Sequence, residues 1–170
     1  MNLPLQKLQS LPNCYEKHEL TAMNLEKYTI IKGPGDFYYE FFSEGPKGKI
    51  RKIVRFTPLT DYEDYYYNLY LGDWLEAEHR ASDTSVSNNK DREKVLATVA
   101  SIVFHFTALM PQAIIFAQGS TASRTRLYQI GITSHWSEIN EDFDLHGFRQ
   151  DKWERFQRNN NYEAFLLRRK

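Results

Sequence analysis

Residues 36–56 most narrow what this chain can fold into. Residues 36–43, Asp-Phe-Tyr-Tyr-Glu-Phe-Phe-Ser, are rich in the aromatic side chains that favour a strand. Glu44-Gly45-Pro46-Lys47-Gly48 follows, with the glycine and proline chemistry of a tight turn. Residues 49–56 then alternate Ile50, Lys52, Val54 and Phe56 against Arg51, Ile53 and Arg55. Strand, turn and strand make a β-hairpin. A third strand is expected over 65–71, with Tyr65, Tyr67, Leu69 and Leu71 on one side and Gly72-Asp73 ending it.

The period changes after a polar loop at 81–91. Val95, Val99, Ile102, Val103, Phe106 and Met110 share one face of a helix that stops at Pro111. A short apolar strand follows at 113–117, and a second helix from about Gly119 to about His135. The last third suggests a strand near 143–145, a short aromatic helix at 153–156 and a final strand at 162–167. The order implies an α+β fold, a mostly antiparallel sheet with one long and one or two shorter helices on one face. Residues 1–22, broken by Pro4 and Pro12, read as a loosely ordered extension, and 23–170 as one domain.

Composition excludes several function classes. The 22 Lys and Arg balance the 22 Asp and Glu, which disfavours a dedicated DNA coater. No apolar run reaches the ~18 residues of a membrane span. The one cysteine, Cys14, allows no intrachain disulfide and no zinc cluster. Five histidines show no His-Glu-x-x-His spacing, so neither metal nor cofactor is expected. Met1 to Lys7 lacks the apolar region of a secretory signal, and the expectation is a cytoplasmic protein.

The leading candidate site is Gly119-Ser120-Thr121, with Arg124 and Arg126 just beyond. A strand runs into it and a helix leaves it. Gly119 permits a close turn, and Ser120 or Thr121 can cap the helix. First-turn N–H groups and the positive dipole end would then face the loop and suit a phosphate. The arginines add planar bidentate donors. Two residues apart on a helix means roughly 200° of rotation, so one arginine serves a ligand while the other pairs elsewhere.

Two secondary features accompany it. From Gly45 to Thr60 five basic residues occur with no acidic one, and from Asp61 to Glu78 six acidic residues with no basic one. The two stretches either pair across the sheet or present a basic hairpin, including Lys47, to a phosphate backbone. Asn88 and Asn89, before Asp91, either cap the long helix or face the Gly119 loop. The leading expectation is thus a module binding a phosphate-bearing ligand, RNA or a nucleotide. An enzyme such as a nuclease or transferase of toxin type, or a protein–protein module built on the aromatic hairpin, are the alternatives.

Several segments together carry a resemblance. They are Phe42 to Gly48, Tyr67-Asn68-Leu69 with Gly72-Asp73, Ser87-Asn88-Asn89 with Asp91, and Lys94 to Ala100. Gly119-Ser120-Thr121 with Arg124 to Tyr128, and Asn161 to Phe165, complete the set. The chain resembles, from about residue 23 onward, a family of small bacterial proteins of unknown function found mostly in Bacteroidota. The resemblance implies a bacterial intracellular protein and supplies no catalytic residues.

Overall fold

Among the described residues nine strands form one sheet with three α-helices, an α+β fold whose sheet is larger than the sequence suggests. The structure, a computed structural model, describes residues 26–35, 37–59, 65–85 and 87–170; the expected extension at 1–22 lies outside them. The strands are β1 (Ile31–Lys32), β2 (Tyr38–Gly45), β3 (Gly48–Pro58), β4 (Tyr66–Leu75) and β5 (Arg80–Ser82), then β6 (Ile114–Ala117), β7 (Phe143–Arg149), β8 (Lys152–Arg155) and β9 (Ala164–Arg169). Their spatial order is β1-β2-β3-β4-β6-β9-β7-β8, with β5 beside β4. Among the described strands the β4–β6 pairing alone is parallel.

The hairpin forms as its alternation predicts. Gly45 and Gly48 face each other across the turn, and Gly48 takes φ +84°, a backbone region that glycine enters without cost. Tyr39 and Phe41 of β2, Val54 and Phe56 of β3, and Tyr67 and Leu69 of β4 lie on one face and are buried. Helix α1 (Arg92–Leu109) covers them. Its Phe106 ring stacks on Phe56 with centroids 3.9 Å apart. Of the expected stripe, Val99, Ile102, Val103 and Phe106 are buried while Val95 and Met110 at its ends are half-buried; Ala97, Phe104 and Thr107 are buried as well. Thr107 returns its hydroxyl to the carbonyl of Val103, which lets a polar side chain sit inside.

Helix α1 carries the chain from β4 to its parallel neighbour β6, the crossover that parallel pairing requires. These strands pair only from Tyr66 to Asn68 and from Ile114 to Phe116. Beyond Asn68 they part. Helix α2 (Ala122–Ser134) leaves the end of β6, and α3 (Trp136–Asp142) follows it. Ile132 and Trp136 pack near Leu145, Phe156 and Phe165, a second apolar cluster.

Three expectations need correction. Strand β4 does not end at Gly72-Asp73 but runs to Leu75. Pairing with β3 on one side and β5 on the other carries it through. Residues 153–156 are not a helix: β8 turns back on β7 through Gln150 and Asp151, at φ 48° and 58°. That left-handed pair is the geometry of a tight two-residue hairpin, and Trp153 lies opposite Phe148 across it. Helix α3 occupies residues for which no element is expected.

Candidate functional site

Helix α2 begins where the strand–loop–helix pattern predicts. Thr121 is its N-cap, and its side-chain oxygen accepts from the amide of Arg124 at 3.3 Å. The amides of Ala122 and Ser123, at the first two helical positions, have no intrahelical partner by geometry. Ser120, Thr121, Ala122 and Ser123 are all exposed, and the first turn carries no acidic side chain. Gly119 is required by close approach: a Cβ there would sit 2.4 Å from the amide nitrogen of Thr125. Its N–H donates to the Thr125 hydroxyl at 3.1 Å, which folds the loop against the helix.

The two arginines diverge, as helical geometry demands. Arg124 reaches across the split in the sheet. Its Nη1 donates to the carbonyl of Leu71 at 3.0 Å and its Nη2 to that of Ser85 at 2.6 Å. The guanidinium therefore joins α2 to β4 and to the segment after β5. Arg126 is exposed and donates to the side-chain oxygen of Asn161 at 2.6 Å.

Where β4 and β6 part, a polar crevice of about 40 Å³ opens. Asn68 and Tyr70 of β4, Asp83, Gln118, Ser120 and Tyr128 line it. Ser120 donates its hydroxyl to the carbonyl of Asp83 at 2.7 Å, closing one side. Burial pushes both phenols, Tyr70 and Tyr128, above their ordinary pKa; the Asp83 carboxylate adds to this, and Arg124 opposes it. Both hydroxyls consequently stay protonated and able to donate at neutral pH. A crevice at the carboxyl end of diverging parallel strands, beside a helix N-terminus, is a common ligand position in open sheets. Sequence reasoning missed Tyr70, Asp83, Gln118 and Tyr128, because only the fold brings them together.

The secondary candidates fall elsewhere. Asn89 is buried under the hairpin turn. Its Oδ1 accepts from the Lys47 amide at 2.9 Å, and its Nδ2 donates to the Gly48 carbonyl and the Ser43 hydroxyl, each at 3.0 Å. It seats the turn. Asn88 is exposed at φ 42°, and the Lys47 side chain is exposed at the hairpin tip. Asp91 stands at the N-cap of α1 without a side-chain capping bond. Its carboxylate accepts instead from Ser43 at 2.6 Å and Tyr28 at 2.8 Å. The contacts to the Gly119 region come instead from Asp83 and Ser85, earlier in the chain.

Of the two charged stretches, one pair forms across the sheet among the described residues, Lys52 with Asp73; Arg51 and Lys49 turn instead to Glu40 and Glu44 of β2. Asp61, Glu63 and Asp64 lie outside the described residues. On the opposite face of the hairpin region Lys49 lies over Phe42, Arg51 over Trp74 and Arg55 over Tyr70, at 4.6, 4.9 and 5.1 Å. Those rings are capped by cations rather than presented as an apolar patch. Among the described residues no cluster of His, Cys, Asp or Glu is arranged to hold a metal, and no helix is long and apolar enough to cross a membrane.

Fold and site define a single-sheet α+β protein with a polar crevice at the split between two parallel strands. The chain belongs to a family of unknown function, DUF6934, matched over residues 24–170. No curated protein and no solved structure matches it.

Proposed function

We propose that this protein binds a small phosphate-bearing ligand, a nucleotide or another phosphomonoester, at the crevice beside the first turn of α2. The observation that carries this is the position of Ser120. It lines the crevice, and the residues after it form an exposed helix start with no acidic side chain. Backbone N–H groups and the dipole there favour an anion. Tyr70 and Tyr128 add neutral donors. Arg124 holds the site in shape rather than gripping the ligand.

A crevice of about 40 Å³ matches one phosphate-sized group better than a length of RNA backbone.

Amide-resolved NMR tests the proposal. Inorganic phosphate and adenosine monophosphate should shift the amides of Ser120, Thr121, Ala122 and Ser123, with affinity falling as salt rises. Ser120→Ala, which removes the hydroxyl lining the crevice, should weaken binding. Amides that stay unmoved by both ligands overturn the proposal. Shifts produced by single-stranded RNA alone overturn it in favour of RNA.

A further inference from the structure

The space beneath the helices is not completely filled. Between α1, α2 and the sheet lies a cavity of about 110 Å³. Leu96 and Val103 of α1, Ile132 of α2, and Ile115, Leu145 and Leu167 of the sheet stand in its walls. Such walls offer dispersion contacts and almost no hydrogen bonds, so the space favours hydrocarbon over water. A dry apolar cavity of about 150 Å³ accepts benzene, and this one is somewhat smaller.

Its position is the second observation. Leu69 and Tyr128 wall both this cavity and the polar crevice. Ala117, the last residue of β6, lines the cavity, and the next residue, Gln118, lines the crevice. An apolar compartment and a polar one therefore adjoin across one phenol side chain and the end of one strand.

We propose that the cavity is the apolar subsite of the ligand site: it receives a hydrocarbon group no larger than benzene, from a ligand whose phosphate lies at the crevice. The phosphate half rests on the function proposed above, while the hydrocarbon half rests on the cavity itself. Tyr128 is the partition between them, and a turn of its side chain lets one ligand span both. The ligand class is a small phosphomonoester with a short alkyl or single-ring group.

A chain-length series tests this on the full chain. Calorimetry with inorganic, methyl, ethyl, butyl, hexyl and octyl phosphate should give affinity rising about fourfold per methylene, then levelling once the cavity is full. The methyl signals of Leu96, Val103 and Ile132 should shift with butyl but not with inorganic phosphate. Ala100→Leu, which fills the cavity from α1, should flatten the series and keep the affinity for inorganic phosphate. The methyl shifts in the unaltered protein give the same answer if that variant folds poorly. A flat series with phosphate still bound overturns the apolar subsite and leaves the phosphate site standing. A rise without levelling and without methyl shifts also overturns it, as partition onto the surface. If benzene moves these methyls but no phosphate compound binds, the phosphate site fails and the joined site with it.

Discussion

Lys52 of β3 and Asp73 of β4 face each other in register, and Nζ meets Oδ1 at 2.5 Å with both side chains almost completely buried. They stand on the helix-covered face, where the apolar layer of Phe41, Val54 and Leu69 gives way to a polar one. Lys52 also donates to the Ser87 hydroxyl at 2.6 Å, and Asp73 accepts from the Ser85 hydroxyl at 3.0 Å. One buried pair thus fastens the segment after β5 across the end of the sheet. Arg124 holds the same segment from the other side.

Lys52→Met should cost about 3–5 kcal/mol, because it leaves Asp73 buried without its partner. Replacing both, Lys52→Met with Asp73→Leu, should recover much of that loss. Urea denaturation of the two variants measures the difference. A single substitution costing under about 1 kcal/mol, the range of exposed pairs, would show that water reaches the pair.

Tyr39 predicts an alkaline limit. Burial pushes its hydroxyl up to about 12, and that hydroxyl has no hydrogen-bond partner among the described residues. An unfolded tyrosine ionises near ~10, so the folded state is the one that resists losing the proton. Stability is fully present below about pH 10 and falls as the pH rises toward 12. Tyr67 and Tyr128, also raised by burial, act in the same direction. Tyr39→Phe keeps the edge contacts with Phe56 and His105 and removes an unpaired buried hydroxyl. It should stabilise the protein by about 1 kcal/mol at neutral pH and make the alkaline loss shallower. Thermal unfolding across pH, beside the tyrosinate absorbance, checks both; a destabilised variant would mean that the hydroxyl has a partner.

These relationships differ in how far the sequence discloses them. The hairpin is legible because Ile50 to Phe56 alternates with period two and glycines flank the turn. The long helix is legible from the spacing of Val95 to Met110 and the stop at Pro111. Strand β8 is not, since its turn takes left-handed backbone at Gln150 and Asp151 without glycine. Gly72 misleads in the opposite sense. It answers to crowding by the Tyr70 hydroxyl, 2.5 Å from where a Cβ would be, and not to a strand end. At the site, Gly119, Ser120 and Thr121 are read from local pattern alone. The partners of Arg124 are carbonyls at Leu71 and Ser85, far off in the chain, and no spacing rule points to a backbone oxygen.

Arg124→Ala removes two charge-assisted bonds that span the split in the sheet. About 2 kcal/mol is the expected loss, allowing for its half-buried position. Arg124→Lys should recover at most half, because one ammonium cannot reproduce the planar fork that meets both carbonyls. Arg126→Ala, at an exposed site, should stay within about 0.5 kcal/mol. Urea midpoints for the three variants rank them; equal effects at 124 and 126 would remove Arg124 from its bridging role.

Gly119 and Gly131 make the sharpest comparison. At Gly119 a Cβ would lie 2.4 Å from the amide nitrogen of Thr125 and 2.7 Å from the carbonyl carbon of Arg124, both backbone atoms. Backbone cannot swing aside, so Gly119→Ala forces the loop away from α2 and should cost about 1–3 kcal/mol, as overpacking does. It also displaces Ser120, and the phosphate-induced amide shifts should vanish with it. At Gly131, inside α2, the nearest atom is the terminal methyl of Leu96 at 3.2 Å. That side chain can move toward the adjoining cavity. Gly131→Ala should therefore be neutral or stabilise by up to about 1 kcal/mol, the helix preference of alanine over glycine. Thermal unfolding of both variants settles the order, and a tolerated alanine at 119 would show that the loop is not held against the helix.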